Sequence, residues 1–429
     1  MSENDLRVLS VCCSDTYGGA SRAAYRIHQG VRKSSVDSQM FVQYKQTSDK
    51  TVVALDRFVP DNHFYQTFDW LRNKIKNRIQ HLRWNRYPNR DSVFMSDLRG
   101  TALHGALRKL DYDVIHLHWV NQRFIPLERL PQDKPIIWTL HDSWPFCGIC
   151  HYFLKCKSYQ SHCGCCPFLH SSDSKDLSYK VWRKKSEIYN KLDLHIVSPS
   201  RWLATCAKQS SLFKRFPITV IPNCVDVETF RPLEEWEISP RWRSFHERKN
   251  QKPFILYGAM NAASDKRKGY LELLFALRLL ERQGQGNDFE LIVFGAKESD
   301  LSYDVSVPIH YVGYVNDDQE LVSLYNIAAV TVVPSLAENL SCTIMESLSC
   351  ETPVVAFDIG GNGDMIDHGV SGYLAKENDP EDLAKGILWS LSNNKDNHLG
   401  VAGREKVLKD YTFNAVASKY ISLYNSVLE

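Results

Sequence analysis

The chain has 429 residues, of which 43% are hydrophobic and 24% are charged, and its formal net charge is +2. This length exceeds one ordinary hydrophobic core, so we expect two domains of roughly 200 residues each. The balanced charge argues against a nucleic-acid-binding protein. No apolar run reaches the ~18 residues of a membrane span, and residues 1–10 lack a signal-peptide pattern, so we expect a cytoplasmic protein.

The first predicted element is a strand over residues 7–14, followed by Gly18 and Gly19 and then a helix to about residue 31. Glycine lets the backbone approach a ligand closely, and the start of a helix offers free N–H groups. The pattern is therefore typical of a loop that approaches a phosphate. Tight packing of the turn is the alternative explanation for the two glycines.

Residues 64–90 combine an apolar helical pattern with many basic side chains. The apolar residues at helical spacing are Phe64, Phe68, Leu71, Ile75, Ile79 and Leu82. Such a helix can lie in an anionic membrane interface, where each cation near the surface contributes about 1 kcal/mol. It can equally pack its apolar stripe inside the protein and leave the basic face in solvent. Peripheral membrane contact through residues 64–90 is one of these two hypotheses.

Two further predicted strands, residues 112–119 and 135–142, carry polar side chains at their carboxyl ends. These side chains are His116, His118, His141 and Asp142. If the sheet is parallel, strand-end side chains project into the crevice where ligands bind. We therefore expect part of a binding site here.

Six of the twelve cysteines fall between residues 147 and 166. Disulfides are not expected in a long chain without an export signal, so reduced thiols or a metal site are favoured. Cys150, Cys156, Cys163 and Cys166 could close a tetrahedral structural zinc site, since the Cys-x2-Cys end is a typical zinc knuckle. Free packed thiols or an oxidation-sensitive pair are the alternatives.

A second α/β pattern opens at residue 253, after a polar segment over residues 231–252 that we interpret as a linker. Its first loop carries Arg267 and Lys268 ahead of an amphipathic helix. A cation at the carboxyl edge of a sheet suits a diphosphate, whose departure leaves negative charge that must be stabilised. An ordinary solvated lysine is the alternative.

The stretch from residue 330 to residue 350 organises this second pattern. A β-branched run predicts a buried strand over residues 330–333, and a helix is predicted from about Ser341. Glu338 then lies in the loop beyond the strand and Glu346 lies on the helix. The loop N–H groups make a natural phosphate site, at Asn339, Leu340 and Ser341. A carboxylate beside such a site is favourable when sugar hydroxyls donate to it.

The motifs resemble those of the retaining, family-four glycosyltransferases with the two-domain GT-B fold. Residues 334–374 resemble the C-terminal signature of that family, and its Glu-x7-Glu pair falls on Glu338 and Glu346. The family's N-terminal glycine loop falls on Gly18 and Gly19, and its D-V-x-H-x-H pattern ends at His118. Cysteine tracts similar to the one here occur in a subset of bacterial members.

The resemblance implies an α/β fold in which two Rossmann-like domains face each other across a cleft. Residues 1–230 would form the acceptor-side domain and residues 253–411 the nucleotide-sugar domain. Residues 412–429 would form a helix that crosses back to the first domain. The implied reaction moves a hexosyl group, with retention, from a nucleoside diphosphate sugar to a hydroxyl of a glycan or lipid-linked acceptor, without a catalytic metal and in surface-polysaccharide synthesis.

The resemblance also implies roles for single residues. Lys268, with Arg267, would bind the donor diphosphate, while Glu338 would bind the sugar hydroxyls and Glu346 the ribose. His118 would lie near the reacting sugar. His141 and Asp142 would lie on the acceptor side, and Gly18, Gly19 and residues 339–341 would face the donor.

Four positions depart from the family pattern. Cys224 and Glu351 stand where the family usually has glycine, Asp364 where it has glutamate, and Ala262 where many members have an arginine. A sugar-nucleotide epimerase on the same fold is an alternative, because a fold does not determine a reaction. A non-catalytic scaffold that binds a membrane or a partner is the other alternative.

Overall fold

The computed structural model describes residues 6–58, 71, 74–75, 78, 82–91, 95–98, 106–122, 124–259, 265–296 and 305–429. The chain divides into two compact units. The first comprises Met1–Ile221 and Ala417–Glu429, and the second comprises Pro222–Val416. Among the described residues, no helix combines the length and apolar character needed to cross a membrane.

The first unit is built on a seven-stranded parallel sheet in the order β3-β2-β1-β4-β5-β6-β7. Its strands are β1 Arg7–Ser14, β2 Asp37–Tyr44, β3 Val52–Ala54, β4 Val114–Leu117, β5 Ile136–Thr139, β6 Leu194–Ser198 and β7 Ile218–Val220. The α-helices of this unit whose bounds the described residues give are α1 Gly19–Lys33, α2 Leu177–Tyr189 and α3 Arg201–Gln209. Strands β4 and β5 are buried along their whole length and are mainly apolar, as in parallel sheets covered on both faces.

The second unit is built on a six-stranded parallel sheet in the order β10-β9-β8-β11-β12-β13. Its strands are β8 Phe254–Gly258, β9 Glu290–Phe294, β10 Ile309–Gly313, β11 Val330–Val333, β12 Val354–Phe357 and β13 Gly372–Ala375. Its helices are α4 Arg243–Arg248, α5 Tyr270–Arg282, α6 Asp318–Ile327, α7 Cys342–Ser349, α8 Asn362–Met365, α9 Pro380–Asn393 and α10 His398–Asp410. The last helix, α11, spans Phe413–Ser426, and its residues from Ala417 onward belong to the first unit.

Both sheets have a point at which the strand order reverses direction. In the first unit this point lies between β1 and β4, and in the second it lies between β8 and β11. Ligands of open α/β sheets bind in the crevice beyond the carboxyl ends of the strands at such a switch point. The loops after β1, β4, β8 and β11 are therefore where a site is expected in each unit.

The segment 231–252, which the sequence indicated as a linker, is packed into the second unit. Ile238 and Trp242 are 2% and 3% exposed and belong to a core cluster with Phe254. Arg231 is paired with Glu237 at 2.5 Å. The polar composition of this segment wrongly suggested an exposed linker. Burial of its two apolar residues, Ile238 and Trp242, attaches it to the second unit.

Candidate functional site

In the second unit, the loops after β8 and β11 are joined through a glycine and a backbone hydrogen bond. Gly269 adopts φ +71°, and a Cβ at this position would lie 1.7 Å from the carbonyl oxygen of Pro334. The backbone N–H of Leu336 donates to the carbonyl of Arg267 at 2.7 Å. Only glycine allows both the backbone conformation and this approach. The contact holds Lys268 against the loop that carries Glu338.

Lys268 and Glu338 form an ion pair at this switch point. The Lys268 Nζ donates to Glu338 Oε2 at 2.7 Å, and the two side chains are 24% and 13% exposed. Burial alone would raise the pKa of Glu338, but the charges of Lys268 and Arg267 outweigh it and lower the pKa below its usual value. Glu338 is therefore an anion at neutral pH, beside a cation that is still partly accessible.

A second glycine fixes Glu338 from the other side. Gly360, at φ +54°, would place a Cβ 1.9 Å from the carbonyl oxygen of Glu338. The neighbouring Gly361 N–H donates to the carbonyl of Asn339 at 2.8 Å. The loop of Glu338 is therefore clamped between two glycine turns, and its position is set by the backbone of three loops. This rigidity is what a preorganised binding residue requires.

The remaining residues that were predicted to bind the donor lie at the start of α7 and on it. Asn339, Leu340 and Ser341 are buried, and Ser341 is the N-cap of the helix. The Leu340 side chain is part of the apolar core, so this residue can offer only its backbone to a ligand. Glu346 is 3% exposed and accepts a hydrogen bond from the hydroxyl of Tyr325 at 3.1 Å.

Arg267 is held within its own turn. Its guanidinium pairs with Asp265 at 2.5 Å, and the Asp265 carboxylate also accepts from the backbone N–H of Arg267 at 3.1 Å. This arrangement orders the turn that presents Lys268. The Ala262 position, where many family members have an arginine, lies outside the described residues.

In the first unit, Gly18 and Gly19 open helix α1. Gly18 has φ +88°, a conformation that favours glycine, and is the N-cap of the helix. A Cβ at either glycine would meet no described atom within 4 Å. Close packing therefore does not explain the two glycines. The open space beside a helix N-terminus is what a ligand with negative charge requires.

His116 is a structural histidine. Its Nδ1 lies 2.7 Å from the Tyr424 hydroxyl, and its Nε2 lies 2.7 Å from the Thr139 hydroxyl. Tyr420 in turn lies 2.9 Å from the Thr139 hydroxyl. Burial lowers the pKa of His116 to about 3, so the imidazole is neutral. Helix α11 thereby anchors the end of strand β4.

His118 lies one residue beyond β4 and differs from His116 in what its ring nitrogens contact. Its Nδ1 lies 3.1 Å from His141 Nε2, while its buried Nε2 has no hydrogen-bond partner among the described residues. Its ring packs on that of His116 with 4.0 Å between the centroids. Burial lowers the pKa of His118 well below its usual value and that of His141 to about 4. His118 is thus a fixed, neutral imidazole with one nitrogen available.

Asp142 is engaged on both carboxylate oxygens. Oδ2 accepts from the Trp119 indole at 2.8 Å and from His151 Nδ1 at 2.6 Å, and Oδ1 accepts from the Trp144 N–H at 2.9 Å. Burial raises the pKa of Asp142, but its pairing with His151 outweighs this and the net pKa is lowered. The geometry shows a carboxylate that orders the loop after β5. The sequence pattern did not single out His151, because nothing nearby in sequence distinguishes it from a surface histidine.

The four cysteines of the predicted zinc site line one small cavity. The cavity has a volume of ≈ 20 Å³, and its wall includes Cys150, Cys156, Cys163 and Cys166. All four are free thiols. Among the residues that the structure describes, no group of three or more His, Cys, Asp or Glu side chains is arranged to hold a metal ion.

The two positions at which the family usually has glycine, Cys224 and Glu351, differ in backbone conformation. Glu351 adopts φ +57°, so it takes the left-handed conformation that the family glycine would favour. Cys224 is buried and does not have a positive φ. The chain therefore makes this turn without using the left-handed region. Of these two positions, only Glu351 therefore carries the strain of a positive φ.

The geometry describes two Rossmann-like units, each with polar groups at its switch point. The family model described as "Glycosyltransferase Family 4" matches residues 17–229, and the one described as "Glycosyl transferases group 1" matches residues 239–406. The chain belongs to the family-four glycosyltransferases with the GT-B fold. It is a glycosyltransferase with relatives in polysaccharide biosynthesis.

Individual relatives agree with this assignment. The chain is 25% identical over 355 residues to an uncharacterized glycosyltransferase of Methanocaldococcus jannaschii, a match that covers 79% of this chain and 81% of the relative. It is 25% identical over 258 residues to the putative colanic acid biosynthesis glycosyl transferase WcaC of Escherichia coli, covering 58% and 59% of the two chains. The solved structure of Anabaena HepE in complex with UDP-glucose superposes with a TM-score of 0.61 at 15% identity, covering 98% of this chain and 100% of that one.

Proposed function

We propose that the protein transfers a hexosyl group from a nucleoside diphosphate sugar to a hydroxyl group of a glycan or lipid-linked acceptor, with retention at the anomeric carbon. The observation that carries the proposal is the Lys268–Glu338 pair at the β8/β11 switch point. A cation and a carboxylate side by side match a donor that presents a diphosphate next to a hydroxylated ring. The relative WcaC, named for colanic acid biosynthesis, supports a role in surface-polysaccharide synthesis.

Lys268 would stabilise the negative charge that develops on the departing diphosphate. Preorganised charges of this kind act most strongly in sites from which water is largely excluded. The same cation would do the work that a divalent metal does in other transferases, so the chemistry needs no bound metal. The pairing with Glu338 keeps the ammonium group in position before the donor arrives. The N–H groups at the start of α7 would contribute further donors to the phosphates.

Glu338 and Glu346 would recognise the two hydroxylated parts of the donor. Glu338 is an anion clamped by Gly269 and Gly360 and can accept hydrogen bonds from the transferred sugar. Glu346, buried on α7, would accept from the ribose. In the first unit, the free Nε2 of His118 would orient the sugar near its anomeric carbon. We assign no covalent nucleophile.

The test is a panel of UDP-, GDP- and ADP-sugars, each measured by thermal shift and then incubated with and without acceptor glycans. A ligand at about 100 times its dissociation constant stabilises the protein by about 2.7 kcal/mol. We expect one donor to give such a shift and to yield a product with the donor's anomeric configuration by NMR. Inversion would contradict the retaining mechanism. Turnover of the sugar nucleotide to an isomer without acceptor would favour an epimerase instead.

We also propose that the protein works in the cytoplasm at the inner face of the membrane, through residues 64–90. Leu71, Ile75 and Leu82 are 48%, 53% and 61% exposed, so the apolar stripe is not packed at these three positions. Phe64, Phe68 and Ile79 lie outside the described residues. Basic residues beside exposed apolar ones suit an anionic lipid surface.

Vesicle co-sedimentation tests this contact. The wild-type protein should bind vesicles that contain phosphatidylglycerol and should bind pure phosphatidylcholine vesicles much more weakly. A variant with Leu71→Ser, Ile75→Ser and Leu82→Ser should lose most of the binding. Leu408→Ser, which removes a leucine of helix α10 that is 45% exposed, is the control. Equal binding by the triple variant and the wild type would contradict the proposal.

A further inference from the structure

A long irregular segment connects strand β5 to helix α2 in the first unit. Within residues 140–176 the only regular structure is three short 3-10 turns, at Trp144–Phe146, Ser158–Gln160 and Pro167–Leu169. Its interior side chains are nevertheless buried, among them Phe146, Ile149 and Phe168. A segment of this length without helices or strands needs another source of order.

Four thiols of this segment meet at one place. The cavity of ≈ 20 Å³ is bounded by Cys150, Cys156, Cys163 and Cys166, together with apolar groups such as Ile149 and Phe168. Three of the four cysteines are buried, and Cys156 is half-buried. A volume of this order holds about one small particle, a water molecule or an ion. The wall also includes Ser158 and Ser178, and the four sulfur atoms are the soft ligands that the cavity offers.

The chain around Cys163 has the conformation of a tight knuckle. Gly164 has φ +143° and Cys165 has φ +44°, so the chain turns sharply between Cys163 and Cys166. The N–H of Gly148 donates to the Cys163 sulfur at 3.2 Å. This turn therefore directs two cysteines to one side while the Cys165 side chain is exposed.

A buried lysine provides an independent observation. Lys185 is 0% exposed, and its ammonium group donates to the backbone carbonyls of Trp144, Cys147 and Gly148. Carbonyl oxygens satisfy its hydrogen bonds but carry no net charge. A buried cation is costly without a nearby negative charge, and burial lowers the pKa of Lys185 to about 7 even though the Asp142 carboxylate acts against this. Four thiolates around one divalent ion carry a net charge of −2, which would supply the counter-charge next to this lysine.

We propose that Cys150, Cys156, Cys163 and Cys166 bind one Zn²⁺ ion as a structural tetrathiolate site. Zinc favours four thiolates in a tetrahedral arrangement with sulfurs about 2.3 Å from the ion. Because the described side chains are not arranged around a metal, binding requires the four sulfurs to move together into the cavity. Each bound thiol loses its proton to solvent, so the reaction releases up to four protons per ion.

The site would order the loop that contacts the candidate acceptor side. His151 follows Cys150 directly and bonds Asp142 at 2.6 Å, and Asp142 bonds Trp119, the neighbour of His118. A metal that fixes Cys150 would therefore fix this chain of contacts. The ion is structural in this proposal and takes no part in group transfer.

Metal analysis of the full-length protein, purified under reducing conditions, tests the site. We expect one zinc per chain by elemental mass spectrometry. Replacement with Co²⁺ should give the intense sulfur-to-cobalt charge-transfer and d–d absorption bands of a tetrahedral tetrathiolate. Cys150→Ser and Cys163→Ser should lose these bands, whereas Cys165→Ser, which alters an exposed thiol of the same turn, should keep them.

A second measurement uses the wild-type protein, so it tests the site even if the variants fail to fold. In the wild-type protein, thiol labelling under native conditions should modify four more cysteines after a chelator is added than before. Zinc-free protein whose spectrum is unchanged by Co²⁺ and whose labelling is unchanged by chelator would overturn the proposal. A disulfide between any two of the four cysteines in the reduced preparation would also overturn it. None of these readouts depends on transferase activity, so the test is independent of the proposed function.

Discussion

The two sheets of this protein reverse strand order at corresponding points, but the groups found there differ in charge. At the β8/β11 point an ammonium and a carboxylate form an ion pair, Lys268 with Glu338. At the β1/β4 point the groups are two glycines and imidazoles that burial keeps neutral, including His118. The comparison teaches that one topology can place either a charged pair or neutral hydrogen-bonding groups at its switch point, and that the loop residues decide which groups are present.

The two points also differ in how they are held. Glu338 is fixed by close backbone contacts at Gly269 and Gly360. His118 is fixed by ring packing on His116 and by a hydrogen bond to His141. Backbone contacts tolerate almost no added volume, whereas a hydrogen-bonded side-chain network can lose one member at a modest cost. The two regions should therefore respond differently to mutation.

The largest effect is expected when the cation is removed from the charged site. Lys268→Ala should reduce kcat/KM by about 10²–10³-fold, because one preorganised charge contact to a developing anion is lost. Donor binding, measured by calorimetry with the nucleoside diphosphate, should weaken as well. Lys266→Ala, an exposed lysine in the same turn, is the matched control and should behave like wild type. Equal activity of the Lys268→Ala and Lys266→Ala variants would show that Lys268 does not act in the site.

The next largest effect concerns the backbone clamp. Gly269→Ala should lower the free energy of unfolding by about 3 kcal/mol, since it adds strain at positive φ and a clash with Pro334. Gly284→Ala has similar strain, at φ +81°, but meets no described atom within 4 Å. It should cost only about 1 kcal/mol. Urea unfolding of both variants measures the difference, and equal losses would show that the close approach to Pro334 is unimportant.

At the neutral site, His118→Ala should lower kcat by about 10²-fold, a typical size for the loss of one positioned imidazole. Binding of the nucleoside diphosphate should be almost unchanged, in contrast to Lys268→Ala. Initial rates at saturating donor, together with calorimetry, separate the two effects. Weakened nucleotide binding in the His118 variant, to the extent expected for Lys268→Ala, would contradict the division of roles between the two sites.

The buried imidazoles should make the first unit sensitive to acid. Burial lowers the pKa of His116 to about 3 and that of His141 to about 4, against about 6.5 in the unfolded chain. Between these values the unfolded state binds more protons, so stability is lost as the pH falls from about 6.5 towards 4. Each histidine contributes a slope of up to about 1.4 kcal/mol per pH unit. The urea concentration at the midpoint of unfolding, measured at pH 7, 6 and 5, should fall less steeply with decreasing pH for His141→Gln than for wild type.

The smallest effect is expected from helix α11. Tyr424→Phe removes the hydroxyl that lies 2.7 Å from His116 Nδ1 and should cost about 1 kcal/mol of stability. Because His116 packs on His118, kcat should fall by a few-fold with donor binding unchanged. Tyr44→Phe, which removes an exposed hydroxyl, is the control. A kcat identical to that of wild type would show that helix α11 does not position His118.

Much of the fold and of the charged site could be predicted from local sequence. The β-branched run before Pro334, the glycine after Lys268 and the spacing from Glu338 to Glu346 are short-range patterns, so each predicts its own strand, turn or helix. The packed segment 231–252 could not be predicted in this way, because burial of Trp242 depends on residues far along the chain. The role of Asp142 could not be predicted either, because the sequence around its partner His151 has no distinguishing pattern.

The sequence by itself determined two α/β patterns, the acidic residues Glu338 and Glu346 after β11, and a cysteine cluster that ends in a Cys-x2-Cys pair. The family pattern already singled out His118, but only the tertiary structure showed that His116 is structural, because its partner Tyr424 lies 308 positions away. It also brought the four thiols to one cavity beside the buried Lys185. The physical reason is that spacing along a chain determines local conformation, whereas hydrogen-bond partners and counter-charges are chosen by which distant segments the sheet brings together.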